Sequence, residues 1–147
     1  MRPARIYLAG PMTGIPQFNF PAFLAAAEDL RERGYAVISP AEIDAPHTRA
    51  AAIESGDGCI ADLHELTGET WGDFLSRDVK IVADDCGAVA VLPGWRESRG
   101  AKLEVLVAML TSKPVLTYPT MDRLTLEFEP RFMGLSAGAA IQALANA

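Results

Sequence analysis

Cysteine, histidine and positive charge are all scarce in this 147-residue chain. Two cysteines, Cys59 and Cys86, and two histidines, His47 and His64, make no spacing that a metal centre requires, so no metal is expected and the histidines read as loop residues. Two cysteines in a chain of this kind are expected as reduced thiols. The 13 basic residues are outnumbered by 19 acidic ones, for a net charge of −6, and they are scattered. A broad nucleic-acid surface is excluded by that balance, whereas a single small anion is not. No apolar run reaches the length of a membrane span, and Met1-Arg2-Pro3-Ala4-Arg5-Ile6-Tyr7 enters structure at once without a signal-peptide pattern. The expectation is a cytoplasmic protein with no membrane partner and no nucleic-acid polymer partner.

What is abundant is apolar sequence, half of all residues, arranged as alternating strand and helix patterns. Ile6-Tyr7-Leu8-Ala9 reads as a short buried strand ending at Gly10-Pro11-Met12-Thr13-Gly14, followed by a helix from about Pro21 to Arg33 that stops at Gly34. Tyr35 to Ser39 is a second strand, Gly87 to Leu92 a third and Pro114 to Tyr118 a fourth, with helices from Trp71 and from Ala101 between them. Leu124 to Phe128 alternates like an edge strand, and Ser136 to Ala145 reads as a small-residue helix. The segment from Ala41 to Thr70 lacks periodicity apart from a short helix near Ile60 to Leu66, so residues 45–70 read as a lid or insertion loop. The pattern predicts one α/β domain over residues 1–147, flavodoxin-like or Rossmann-like, with a parallel sheet covered by helices on both faces. Its ligand crevice lies outside the carboxyl ends of the strands, where the loops after Ala9 and Leu92 meet.

Two acids interrupt apolar patterns. Trp71, Phe74, Leu75, Asp78, Ile81 and Val82 follow the spacing of a core-facing helix, and Asp78 stands where an apolar residue is expected. Glu104 is the sole acid in the run from Ala101 to Leu110, on the border of a stripe formed by Leu103, Leu106, Val107 and Leu110. A buried carboxylate costs several kcal/mol in order of magnitude, so two of them on neighbouring elements point to a site.

The first loop, Gly10-Pro11-Met12-Thr13-Gly14, has neither the dinucleotide fingerprint nor a P-loop lysine, and Gly10 alone is explained by a tight turn. The second, Pro93-Gly94-Trp95-Arg96-Glu97-Ser98-Arg99-Gly100, is more specific. Ser98 is a helix cap, Gly100 lets a ligand approach the backbone, and Arg96 and Arg99 flank an N-terminus that attracts anions, although both arginines could simply be solvated. Trp95 is the better candidate for stacking on a ligand, because Trp71 fits the core stripe. Phe18, Asn19 and Phe20 are placed to line a pocket, with Phe20 equally suited to stapling the helix. Asp44 follows the second strand on the crevice side, where it could contact substrate, but reads more simply as a surface acid.

Tyr7 followed by Ala9-Gly10-Pro11, Asp78 ahead of an Ala-Asp-x-x-x-Ala-Val-Ala-Val strand, and Ser98-x-Gly100-x-x-x-Glu104 together resemble the nucleoside 2-deoxyribosyltransferase-like superfamily, over residues 5 to 118. The resemblance implies a glutamate nucleophile at Glu104, a Tyr7 that orients it, and an Asp78 that handles the proton on the leaving base. With the two crevice loops, it leads to expected substrate contacts from Gly10, Pro11, Met12, Asn19, Gly94, Trp95, Ser98, Arg99 and Gly100; two carboxylates suffice for the displacement without a metal or redox cofactor, and the resemblance implies a homodimer or larger homo-oligomer. The nucleophile is expected ionised, favoured by the helix N-terminus and arginines, and Asp78 protonated by burial. The superfamily's free-nucleoside transferases carry an aspartate where this chain has Ser98, and its nucleoside 5′-monophosphate N-glycosidases carry serine. The implied activity is therefore cleavage or transfer at the N-glycosidic bond of a deoxyribonucleoside or its 5′-monophosphate, leaning to hydrolysis of the monophosphate. The alternatives are a non-catalytic nucleotide sensor or sequestering protein on the same crevice, and two acids that are purely structural.

Overall fold

The computed structural model of the chain describes residues 4–125. In chain order its elements are β1 (Arg5–Ala9), α1 (Phe20–Glu32), β2 (Ala36–Ile38), α2 (Pro40–Ile43), α3 (Pro46–Glu54), α4 (Ile60–Thr67), α5 (Trp71–Asp84), β3 (Ala88–Val91), α6 (Arg99–Leu110), β4 (Val115–Thr117) and β5 (Asp122–Leu124). Short 3-10 turns occur at Pro16–Asn19 and Trp95–Glu97. The strands form one sheet in the order β2-β1-β3-β4-β5, parallel except for β5, which runs antiparallel to β4 at the edge. The expected α/β architecture is what forms. The helix expected at Ser136 to Ala145, and residues 126–128 of the expected edge strand, lie outside the described residues.

Alternation along the two central strands sets the layers. Ile6, Leu8, Ala88 and Ala90 point to one face, where Phe23, Ala27 and Leu30 of α1 cover them. Tyr7, Ala9, Val89 and Val91 point to the other, against Val82 of α5 and Ala101, Val105 and Ala108 of α6. A one-residue slip of β1 would exchange these faces, so the position of Tyr7 is tied to the register of the whole strand.

β1 pairs with β2 on one side and β3 on the other, so the chain leaves the carboxyl edge of the sheet in diverging directions between β1 and β3. The two loops meet there. The Leu92 N–H donates to the Ala9 carbonyl at 2.8 Å, and a side chain at Gly10 would bring its Cβ to 2.9 Å from the Leu92 Cβ.

The segment after β2 differs from expectation. Residues 40–70 are mostly helical, in α2, α3 and α4, and His47 and His64 lie on helices rather than loops. α3 buries only Thr48 and Ala52, too few large apolar residues for a helical period to show in the sequence. Nor does the segment hang free. The Gly14 N–H donates to the Gly58 carbonyl at 2.8 Å and the Gln17 N–H to the Ser55 carbonyl at 2.7 Å, and Gln17 Nε2 donates to the Ile53 carbonyl at 3.1 Å. It is a wall stapled to the loop after β1. Gly58 sits at φ +67, and a Cβ there would come within 2.7 Å of two backbone atoms of Ile15. Gly58→Ala is therefore expected to cost about 2 kcal/mol or more through strain and a displaced staple, read as a drop in Tm. An unchanged Tm would show that the staple is dispensable.

α6 is rotated relative to the expected stripe. Ala101, Glu104, Val105 and Ala108 face the core, whereas Leu103, Leu106 and Val107 are half-buried and Leu110 is 75% exposed. Small residues let the helix approach the sheet closely, so the alanines take the inner face that size-weighted reading gives to leucine. The consequence is that Glu104 lies within the buried face, not at its border.

Candidate active site

Three side chains from three elements converge beneath the carboxyl edge of the sheet. Tyr7 rises from β1 and is completely buried. Asp78 reaches in from the middle of α5, and Glu104 from the second turn of α6. α5 starts in register because Thr70 and Asp73 close a capping box, and α6 because Ser98 Oγ accepts the Ala101 N–H at 3.2 Å. Among the described residues, the Tyr7 hydroxyl and Glu104 Oε2 are buried without a hydrogen bond of normal geometry. Each is nevertheless close enough to shift the ionisation of the other.

A cation missed by the sequence reading organises the acids. Arg77 donates from Nε to Asp78 Oδ1 at 2.8 Å and from Nη1 to Asp44 Oδ1, so one guanidinium bridges two carboxyls. Asp44, read from the sequence as a surface acid, has a side chain only 7% exposed. Its burial follows from topology: it lies just past α2 at the same carboxyl edge, where every loop of such a sheet converges. That placement, with an arginine adjoining the anomalous Asp78, was the signal available in the sequence.

Burial dominates the electrostatics. It raises the Glu104 carboxyl well above the ordinary range, and the nearby Asp78 charge adds to the shift while Tyr7 and Arg77 oppose it. Asp78 is raised by burial, with Arg77 pulling it back, and Asp44 is raised by burial against the same arginine. Tyr7 is pushed far up by burial and then by Glu104 and Asp78. At Arg77 loss of solvent lowers the pKa, but Asp78 and Asp44 together outweigh it, and the pKa ends above its usual value. The expectation that the helix N-terminus keeps Glu104 ionised is thus corrected: no cation touches it, and desolvation wins. Asp78 is raised as expected.

Above these groups opens a cavity of roughly 350 Å³. Gly10, Met12, Ser98, Arg99, Gly100, Asp78 and Glu104 line it, as the sequence suggested. Pro11, Asn19, Gly94 and Trp95 do not. Asn19 instead ties the loop by donating from Nδ2 to the Pro11 carbonyl at 3.0 Å, and Gly94 turns the chain at φ 84. The two tryptophans exchange roles. Trp95 is only 6% exposed, packed in the core beneath the Arg96 guanidinium, which lies 4.6 Å from its ring centre. Trp71 is 39% exposed and lines the cavity, with Arg99 5.5 Å from its ring centre. It stands at the first position of α5, where the helical stripe has run past the edge of the sheet and the core no longer lies beneath it. Phe18, Phe20, Leu63 and Phe74 add an apolar lining, Leu63 coming from the stapled segment. Such a cavity suits a flat, apolar-faced ring joined to an anionic group.

Cys59 and Cys86 are unbridged. Among the described residues no helix is long and apolar enough to cross a membrane. A family model described as "Domain of unknown function (DUF4406)" matches residues 4–67 and 59–117. No curated protein matches the chain.

Proposed function

The chain belongs to that family of unknown function, DUF4406, through matches that together run from residue 4 to residue 117, and for it we propose cleavage of an N-glycosidic bond with Glu104 as nucleophile. The observation that carries the reading is that Asp78 and Glu104 line one aromatic-walled cavity while the fully buried Tyr7 adjoins both acids behind that lining. Displacement at an anomeric carbon needs one carboxylate to attack and one carboxylic acid to protonate the leaving group, and no metal or redox group is called for. Glu104 would attack the anomeric carbon, Asp78 would give its proton to the departing base, and water would then hydrolyse the glycosyl ester. The resemblance to the nucleoside 2-deoxyribosyltransferase-like superfamily is part of this proposal.

A nucleoside 5′-monophosphate fits the mouth of the cavity better than a free nucleoside. Ser98 spends an oxygen lone pair on the Ala101 N–H and keeps its hydroxyl hydrogen to donate, while Arg99 supplies charge beside the α6 N-terminus. Water as acceptor then makes the protein a nucleotide N-hydrolase.

Chromatography of base release from deoxynucleosides and their 5′-monophosphates, with and without an acceptor base, tests the reading. Release from monophosphates alone supports hydrolysis, and release that needs an acceptor base supports transfer. A folded protein that binds nucleotide and releases nothing would leave only the non-catalytic binder. Arg99→Ala is expected to raise KM for monophosphates by about 10-fold or more, the worth of one charged hydrogen bond, and to leave nucleosides unaffected. Equal losses on both would remove the phosphate contact from the proposal.

A further inference from the structure

Three buried carboxyls share one cation beneath the cavity, and they do not share it equally. Arg77 holds Asp78 at 2.8 Å and also Asp44, whereas Glu104 has no cation in contact and faces the Tyr7 hydroxyl. Three ionised carboxylates beside a single guanidinium would leave uncompensated buried charge, so at least one keeps its proton. The geometry favours Glu104, which has no cation in contact, as the carboxyl that keeps it, and Asp78, gripped by Arg77, as the anion.

That is the reverse of what the reaction proposed above requires, and the present inference rests on that reading. We infer that Arg77 and Asp44 together act as positioning residues that let the proton pass from Glu104 to Asp78 without leaving the half-buried Arg77 unpaired. Tyr7 adjoins both acids, and once its hydroxyl closes to hydrogen-bond distance it can carry the transfer: its oxygen accepts the Glu104 proton while its own hydrogen goes to Asp78. The balance is one proton moved and none lost. Glu104 becomes the attacking carboxylate, Asp78 the acid. Arg77 then loses one anionic partner and keeps the other, Asp44. A lone Arg77–Asp78 pair would resist the move, because protonating Asp78 would leave a half-buried guanidinium with no counter-charge in contact. Asp44 is therefore the residue that makes Asp78 usable as an acid.

The groups facing Asp78 are Tyr7 from β1, Asp44 from the end of α2, Arg77 from its own helix and Glu104 from α6, with Glu69 and Arg49 acting on Asp44 from behind. Removing either member of the Arg77–Asp44 pair changes the sign of the local charge in opposite directions. Asp44→Asn takes away a negative charge and should shift both limbs of the pH profile of base release to lower pH by roughly one unit. It should also reduce kcat roughly tenfold with little change in KM, because the productive proton arrangement becomes rarer. Arg77→Gln takes away a positive charge and should shift both limbs to higher pH. Arg77→Lys should restore the wild-type position in part. A role confined to packing would lower activity in all three without opposed shifts.

The deciding measurement does not need turnover. Carboxyl-carbon NMR titration of protein labelled with 13C at Asp and Glu side-chain carboxyls, assigned through Asp78→Asn and Glu104→Gln, reports which acid holds the proton in the free protein. The expected result is that Asp78 ionises at lower pH than Glu104, and that Asp44→Asn lowers the Asp78 titration while Arg77→Gln raises it. Asp78 retaining its proton longer than Glu104, or both substitutions moving Asp78 the same way, would overturn the inference. Should Arg77→Gln fail to fold, the sign of the Asp44→Asn shift decides alone. Expected titrations with no base released from any substrate would sink the glycosidic reading and leave the proton arrangement standing.

Discussion

Glu104→Gln is expected to lower base release by at least about 10³-fold and to make the protein more stable at neutral pH. The first effect follows from chemistry: an amide cannot displace a base at an anomeric carbon, and the nearest other carboxyl, Asp78, is held by Arg77. The second follows from burial. Glu104 is 7% exposed, has no cationic partner, and its carboxyl is raised well above the ordinary 4.5. A group whose folded pKa is raised contributes stability that is fully present below the unfolded value and is lost as pH rises toward the folded value. Wild type should therefore lose stability from about pH 4.5 upward, where the unfolded chain ionises Glu104 and the folded one does not. Glutamine has no such term. The gain at neutral pH should be roughly 1–2 kcal/mol, a few degrees of Tm, and should vanish near pH 4. A mutant that keeps a tenth of wild-type release, or that is less stable than wild type at pH 7, would refute the assignment of Glu104. A gain in stability with loss of activity is the signature of a site maintained against the preferences of the fold.

Arg77→Ala should produce a large loss of stability. It leaves Asp44 and Asp78, with side chains 7% and 10% exposed, buried without a counter-charge. Breaking a buried ion pair on one side costs about 3–5 kcal/mol, and the 26% exposure of the Arg77 side chain places this case toward the lower end. The deficit should depend on pH in a defined direction. Without Arg77 both acids, already raised by burial, move further up. Their destabilising effect is absent below about pH 4, where they are neutral in both states, and grows as pH rises above it. Denaturant titrations at pH 4 and pH 7 check this: the gap between Arg77→Ala and wild type should be several-fold wider at pH 7. An equal gap at both values would mean that the arginine contributes through packing, its guanidinium carbon lying 5.7 Å from the Phe74 ring centre, and not through its ion pairs.

Legibility differed by element for physical reasons. A short continuous apolar run reports β1 and β3 well, because a buried parallel strand is apolar on both faces and bounded by turn residues. Asp78 and Glu104 were legible for the same reason, as charges that break an apolar pattern. α3 was not, since a helix that buries a threonine and an alanine carries almost no periodic signal. The rotation of α6 was misread because leucine outweighs alanine in any size-weighted pattern, while close approach to a sheet favours alanine. The tryptophans were exchanged because periodicity continues along a helix past the point where the core beneath it ends.

By itself, then, the sequence determined the α/β alternation, the edge of the sheet at which a ligand would sit, and three of the groups that meet there, since each rests on interactions within a few residues of chain or on a broken local pattern. Only the tertiary structure decided which cation serves which acid. The bridge from Arg77 to Asp44 spans 33 positions, and the approach of Tyr7, Asp78 and Glu104 depends on strand order and on how α5 and α6 lean against the sheet. Charge compensation in a buried site is set by distances of a few ångströms between elements far apart in sequence, and no local pattern carries that information.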